Sequence, residues 1–214
     1  VGIVLGAVAA LRRNRPVDKL IMVVTTAFVS MPSFIMGSLL LVAFSVKLSI
    51  FPANGAEAGG LVLPVITLAL YPMAYITRLT RSSMLDVLGQ DYIRTARAKG
   101  VKESKVIFSH ALRNALIPVV TVVGAQLTMV VGGSFIIESV FSIPGIGMLL
   151  LSAINTRDFP TIQGTVLVLS FFVCIINLLT DVAYAYVDPR IKSQYAGKKH
   201  SSRKRKSNGM KSSR

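Results

Sequence analysis

Between Arg78 and Pro118 the chain reads RLTRSSMLDVLGQDYIRTARAKGVKESKVIFSHALRNALIP, about forty residues too polar for a bilayer interior and too patterned for a disordered linker. Asp91 suits an N-cap, Tyr92 to Lys99 are compatible with a helix, and Gly100 suits a left-handed stop, which predicts about two turns of helix. On such a helix Tyr92 or Ile93, Ala96 and Gly100 lie near one face, while Arg94, Arg97 and Lys99 project elsewhere. An aromatic anchor, a small-residue face and a basic rim are the chemistry of docking another protein. The alternative is an amphipathic helix resting on anionic lipid.

The other chemistry-bearing residues are scattered. No G-x-x-x-x-G-K-[ST] phosphate loop occurs, so energy from a nucleotide must come from another chain. Gly132, Gly133 and Ser134 have the glycine-x-serine look of an intramembrane serine protease, but His110 and His200 both lie in polar regions and no apolar stretch supplies a base. Gly124, Thr128 and Gly132 read instead as a small-residue stripe for helix packing. His110 has no second histidine or cysteine at ligand spacing, so a metal site built from this chain alone is not expected. Asp181, near the end of the last apolar stretch, is a candidate for ion coupling, with a helix-end hydrogen bond or ion pair as the favoured reading. Glu138 and Asp158 read as boundary residues, Glu138 with an alternative role facing an aqueous path. The lone Cys174 sits in an apolar run and reads as packing.

The elements that must position these residues are membrane helices. Of 214 residues 52% are hydrophobic and 15% charged, with a mean hydropathy of +0.63, outside the balance of a soluble domain. The net charge of +15 would suit nucleic acid, but the basic residues are confined to gaps and a tail, so no nucleic acid is expected as a partner. Uncharged stretches long enough to cross run from Leu20 to Val46, Ala58 to Thr77, Ala115 to Ile137 and Phe159 to Thr180. Val1 to Leu11 reads as the remainder of a fifth span, with an N-terminal part missing and no cleavable signal peptide. Ser139 to Thr156 is broken by Pro144, Gly145 and Gly147 and is expected to be a short half-helix at the outer surface. With five crossings, four Lys or Arg in Arg12 to Lys19, eight in Arg78 to Arg113 and ten from Arg190 onward share one side, against Lys47 and Arg157 on the other. The positive-inside rule puts the basic regions in the cytoplasm. Residues 193–214 form a basic tail expected to be disordered and drawn to inner-leaflet lipid.

Four segments carry a family likeness: QDYIRTARAKG at Gln90 to Gly100, HALRNALIP at His110 to Pro118, ESVFSIPGIG at Glu138 to Gly147, and DPRIK at Asp188 to Lys192. In these, and in the spacing of its spans, the chain resembles the ABC-type importer permeases of the peptide and nickel branch, more narrowly the first permease subunit of dipeptide and oligopeptide systems. Those permeases share a cytoplasmic E-A-A, three residues, G motif whose short helix docks on an ATP-hydrolysing subunit. Here Arg94, Thr95 and Ala96 occupy the E-A-A places and Gly100 the glycine, while Arg113 stands at the general motif's later proline. The departures agree with the peptide branch.

The resemblance implies an all-α, polytopic type I importer permease fold with about five spans, a permease domain over 1–192 and a coupling segment at about 78–113. It implies ATPase coupling through Asp91, Tyr92, Arg94, Thr95, Ala96, Arg97, Lys99 and Gly100, and no catalysis by the chain itself. ATP and magnesium are expected on partner subunits, with no cofactor or metal here. A second homologous permease, an extracytoplasmic solute-binding protein and membrane lipid complete the expected surroundings, in a bacterial or archaeal plasma membrane. Pro32, Ser33, Gln126 and Ser134 are candidate lining residues of the path. Nickel or a nickel chelate is the alternative cargo. A secondary transporter is a weaker alternative, since no internal repeat is visible.

Overall fold

The structure, a computed structural model, describes residues 1–187; the DPRIK segment and the basic tail lie outside the described residues. Among the described residues every regular element is helical: α1 (Gly2–Leu11), α2 (Pro16–Ser30), α3 (Ser33–Leu40), α4 (Val62–Leu88), α5 (Asp91–Ala98), α6 (Glu103–Lys105), α7 (Arg113–Val140), α8 (Ile146–Thr156) and α9 (Phe159–Val187). Wider π-helical turns prolong α3 over Leu41–Lys47 and join α6 to α7 over Val106–Leu112. Three helical runs are long and apolar enough to cross a bilayer: α4, the continuous stretch Glu103–Val140, and α9 over Phe159–Val182. The apolar side chains of α9 point outward, with Leu167, Phe171 and Leu178 exposed, as a lipid-facing helix requires.

The uncharged stretch from Leu20 to Val46 is divided between two helices rather than crossing as one straight run. The helices α2 and α3 meet at 107°. The cause is local: Pro32 has no N–H and a fixed φ, and it forces Met31 into extended backbone (φ −94°, ψ 127°). Pro32 thus starts a second helix rather than kinking the first. Pro118, by contrast, lies inside α7. The expected half-helix is α8, eleven residues long.

The helix α1, ten residues long, is too short to cross alone and lies along the inner half of α4. The approach is close enough that a Cβ on Gly6 would fall 2.6 Å from Thr80 Cβ. Two apolar clusters close the bundle. Leu63, Ile137 and Phe141 pack with Leu41, Phe44 and Phe51 at one end. At the other, Ala10, Met84, Ile93, Val106, Ala111 and Ala115 gather the ends of α1 and α4 with the polar connection and the start of α7. Both basic connections, Arg12 to Lys19 and Arg78 to Arg113, therefore share the inner end of the bundle.

Candidate functional site

The short helix of the inner connection is α5, and its register differs from expectation at the start. Gln90, not Asp91, is the N-cap: it is extended (ψ 149°), and its carbonyl accepts from the N–H groups of Ile93 and Arg94 at 3.1 and 3.4 Å. Asp91 opens the helix, where its carboxylate meets the positive end of the dipole. It stands 3.9 Å from Arg94, both side chains in water. Thr95 Oγ1 donates to the Asp91 carbonyl at 2.9 Å.

The C-terminal end follows the sequence closely. Gly100 is left-handed (φ +74°) and its N–H donates to the Arg97 carbonyl at 2.9 Å, while Val101 N–H donates to the Ala96 carbonyl at 3.2 Å. These are the paired bonds of a Schellman stop, with Ala96 and Val101 both packed on the inner cluster. A Cβ on Gly100 would touch nothing within 4 Å. The constraint at Gly100 is thus the sign of φ, not the bulk of the residue as such.

Which face does what was not fully legible. Ile93 is fully buried and Ala96 packs beside it, so the small-residue face is turned to the chain's own core against Met84, Val106 and Ala111. Tyr92 is 45% exposed and Phe108, a turn into the following π segment, 68%. The surface left outward therefore carries Tyr92, Arg94, Thr95, Lys99 and Phe108. Arg97 is held within the chain: Nη2 and Nε donate to the Glu103 carboxylate at 2.6 and 3.1 Å, spanning the Gly100 turn. Those bonds hold Arg97 further in its charged form.

Behind α5 lies an ion pair that the sequence reading passed over. Asp18 on α2 is almost fully buried and receives Arg81 Nε and Nη2 of α4 at 2.6 and 2.8 Å, with the Asn14 N–H at 2.8 Å. Arg78 Nη1 donates to Thr26 Oγ1 at 2.6 Å, a second bond between the same helices. The available signal was Asp18 itself, the one acid in the basic loop Arg12 to Lys19. A bidentate pair of this kind fixes α2 to the helix that leads into α5.

At the outer end Glu138 does helix-capping work. Its Oε2 accepts from the N–H groups of Gly147 and Met148 at 2.8 and 3.4 Å, at the start of α8, where Gly145 supplies no side chain. A Cβ on Gly145 would collide with the Glu138 carboxylate. Asp158 caps α9: Thr161 donates from its hydroxyl and N–H at 2.6 and 3.2 Å, which holds the carboxyl below the usual carboxylate range.

The stripe on α7 is only partly a packing face. Gly124 lies tight against Thr180, and Thr128 Oγ1 donates to Asn177 Oδ1 at 2.7 Å, but Gly132 meets nothing within 4 Å. Ser134 Oγ donates to the Val131 carbonyl at 2.8 Å, committed to its own helix. His110 offers its carbonyl to Asn114 and lies at the inner end. Asp181 is exposed on α9, with no ion pair found among the described residues. Cys174 is exposed as well, so it is not core packing within this chain. Among the described residues no group of three or more His, Cys, Asp or Glu could hold a metal ion.

A cavity of about 410 Å³ opens where α2 breaks, bounded by α4 and α7. Three of the four candidate lining residues, Pro32, Ser33 and Gln126, line it, and Ser134 does not.

A helical bundle with several runs long and apolar enough to cross a bilayer, and a short helix packed at its basic end, defines a polytopic membrane protein. Residues 2–193 match the family of binding-protein-dependent transport system inner membrane components, and the chain belongs to that family. It is 49% identical over 197 residues to the dipeptide transport system permease protein DppB of Bacillus subtilis, covering 92% of this chain and 64% of that one. A putative peptide permease protein of Brucella suis biovar 1 is 45% identical over 203 residues, covering 90% and 64%. The glutathione transport system permease protein GsiC of Escherichia coli O1:K1 / APEC is 45% identical over 192 residues, covering 89% and 63%. The chain thus spans a little under two thirds of the length of these relatives.

Proposed function

We propose that this chain is a permease subunit of an ATP-binding-cassette importer, forming half of a translocation pathway for dipeptides or oligopeptides. The observation that carries the reading is α5: a two-turn helix with its apolar face locked to the bundle and an aromatic, basic face left outward. A load applied to that face passes through Ile93 to Met84 on α4 and to Val106 and Ala111 ahead of α7. The Asp18–Arg81 pair carries it on to α2. Such a lever lets a nucleotide-driven closure of two ATPase subunits switch the bundle between inward-facing and outward-facing arrangements.

On this reading ATP and magnesium sit on the ATPase subunits and the chain performs no chemistry of its own. Asp91, Tyr92, Arg94, Thr95, Lys99 and Gly100 shape the docking face, with Ala96 and Arg97 holding it from within. A second homologous permease completes the pathway, an extracytoplasmic solute-binding protein delivers cargo, and the assembly lies in a bacterial or archaeal plasma membrane. The peptide class is supported by relatives named for dipeptide, peptide and glutathione transport.

Two measurements test this. Affinity purification of the chain from native membrane should recover an ATPase subunit, and a strain lacking it should lose growth on defined peptides while keeping growth under nickel limitation. Solute movement by the isolated chain on an ion gradient would replace the proposal with secondary transport, and a nickel-specific growth defect would change the cargo.

A further inference from the structure

The cavity at the α2–α3 break holds an unpaid polar group. Gln126 is at the midpoint of the uncharged stretch Ala115 to Ile137, roughly 16 Å from either end at the helical rise. It is 7% exposed and lines the cavity, and its carboxamide oxygen, turned out of reach of water, has no hydrogen-bond partner among the described residues. At that depth a leucine would cost nothing, whereas an unpaired amide is expensive.

Further polar groups converge on the same space from the backbone. Ser30, Met31, Pro32 and Ser33 line it where the chain leaves one helix and starts the next. The helix α3 begins without a side-chain cap, so the N–H groups of its first turn lack that partner. Across the cavity, Pro72 within α4 has no N–H to give to the carbonyl of Leu68, and both residues line the space. Irregular backbone at membrane depth is tolerated where it lines a cavity. Thr67 and Tyr71 add two hydroxyls, the first committed to the Leu63 carbonyl, and the rest of the wall is apolar, from Val29, Met129 and Val130; among the described residues no Lys, Arg, Asp or Glu lines it.

This pattern selects a ligand class. A carboxamide offers an acceptor and two donors, the complement of a peptide group with its one N–H and one C=O. The apolar wall suits an uncharged side chain, and the missing counter-ions disfavour a charged one. We propose that this cavity is a transit subsite in which the Gln126 carboxamide turns into the cavity to pair with a backbone amide of the passing peptide while an apolar side chain of that peptide fills the pocket. The proposal rests on the importer reading above and adds to it a place and a recognised group.

The test uses the complete transporter, with binding protein and ATPase subunits, and two radiolabelled probes: Ala-Leu-Ala and the same tripeptide N-methylated at the leucine amide. Removing one neutral hydrogen bond corresponds to about a three- to tenfold change. Wild type should therefore favour the unmethylated peptide by a ratio that falls about three- to tenfold in Gln126→Met, uptake of the methylated probe being little changed. Discrimination by the binding protein is common to both transporters and cancels in the comparison. Because Gln126→Met removes an unsatisfied buried acceptor, its melting temperature should be unchanged or higher.

An unchanged ratio in Gln126→Met overturns the subsite. So does a variant that loses thermal stability and takes up both probes equally poorly, which assigns Gln126 a purely structural part. A wild-type complex that hydrolyses ATP but imports neither peptide overturns the peptide reading itself, and the subsite with it.

Discussion

Replacement of Gly100 isolates the one place where the end of α5 depends on backbone handedness. A Cβ there meets open space, so Gly100→Ala introduces no clash and its whole effect is the strain of a left-handed L-residue, about 1–2 kcal/mol. That strain is relieved if the turn opens, which breaks the bonds from Gly100 to Arg97 and from Val101 to Ala96 and lifts Val101 off the inner cluster. A shift of that size raises the open fraction by a factor of roughly 5–30. Hydrogen exchange at the Gly100 and Val101 amides of the purified complex should accelerate by that factor. In proteoliposomes the peptide imported per ATP should fall in parallel, while membrane insertion is unaffected. Gly100→Asn, whose side chain tolerates this region better, should lie between wild type and Gly100→Ala in both measurements. Equal exchange and equal transport across the three proteins would refute the reasoning, and so would losses that follow side-chain volume.

Tyr92 and Ile93 should separate docking from folding: Tyr92→Ala is expected to change thermal stability by less than about 0.5 kcal/mol yet reduce co-purification of the ATPase, whereas Ile93→Ala should cost about 2–5 kcal/mol in a melting experiment. Arg81→Met leaves the buried Asp18 carboxylate unpaired and should destabilise by about 3–5 kcal/mol, with Asp18→Asn in the same chain recovering much of the loss in detergent-solubilised thermal unfolding. Glu138→Ala should loosen the start of α8 by about 0.5–2 kcal/mol, read as faster proteolysis of the outer loop, and Gly145→Ala should do so as well by displacing the same carboxylate. Gly124→Leu should drive α9 away from α7 through its collision with Thr180 and lower the melting temperature, while Gly132→Leu, facing open space, should be tolerated in the isolated chain.

Much of this protein is written locally. Long uncharged runs must be helical in hydrocarbon, and the placement of Lys and Arg sets their orientation, because both follow from solvation and need no partner. Gly100 as a left-handed stop and the break ahead of α8 at Pro144 and Gly145 were legible for the same reason: each is a property of one residue's own backbone. Tertiary structure decided the rest. Ile93 or Tyr92 would serve equally on a helical wheel, and only the neighbouring surface of Met84, Val106 and Ala111 determines that Ile93 turns inward and Tyr92 outward. The 107° break at Pro32, the pairing of Asp18 with Arg81 across sixty-three positions, and the meeting of Gln126 with the α2–α3 elbow are likewise invisible to spacing. Such features depend on which faces of distant helices come together, and in a chain whose helices are apolar on nearly every side the pattern of hydrophobicity does not distinguish one face from another.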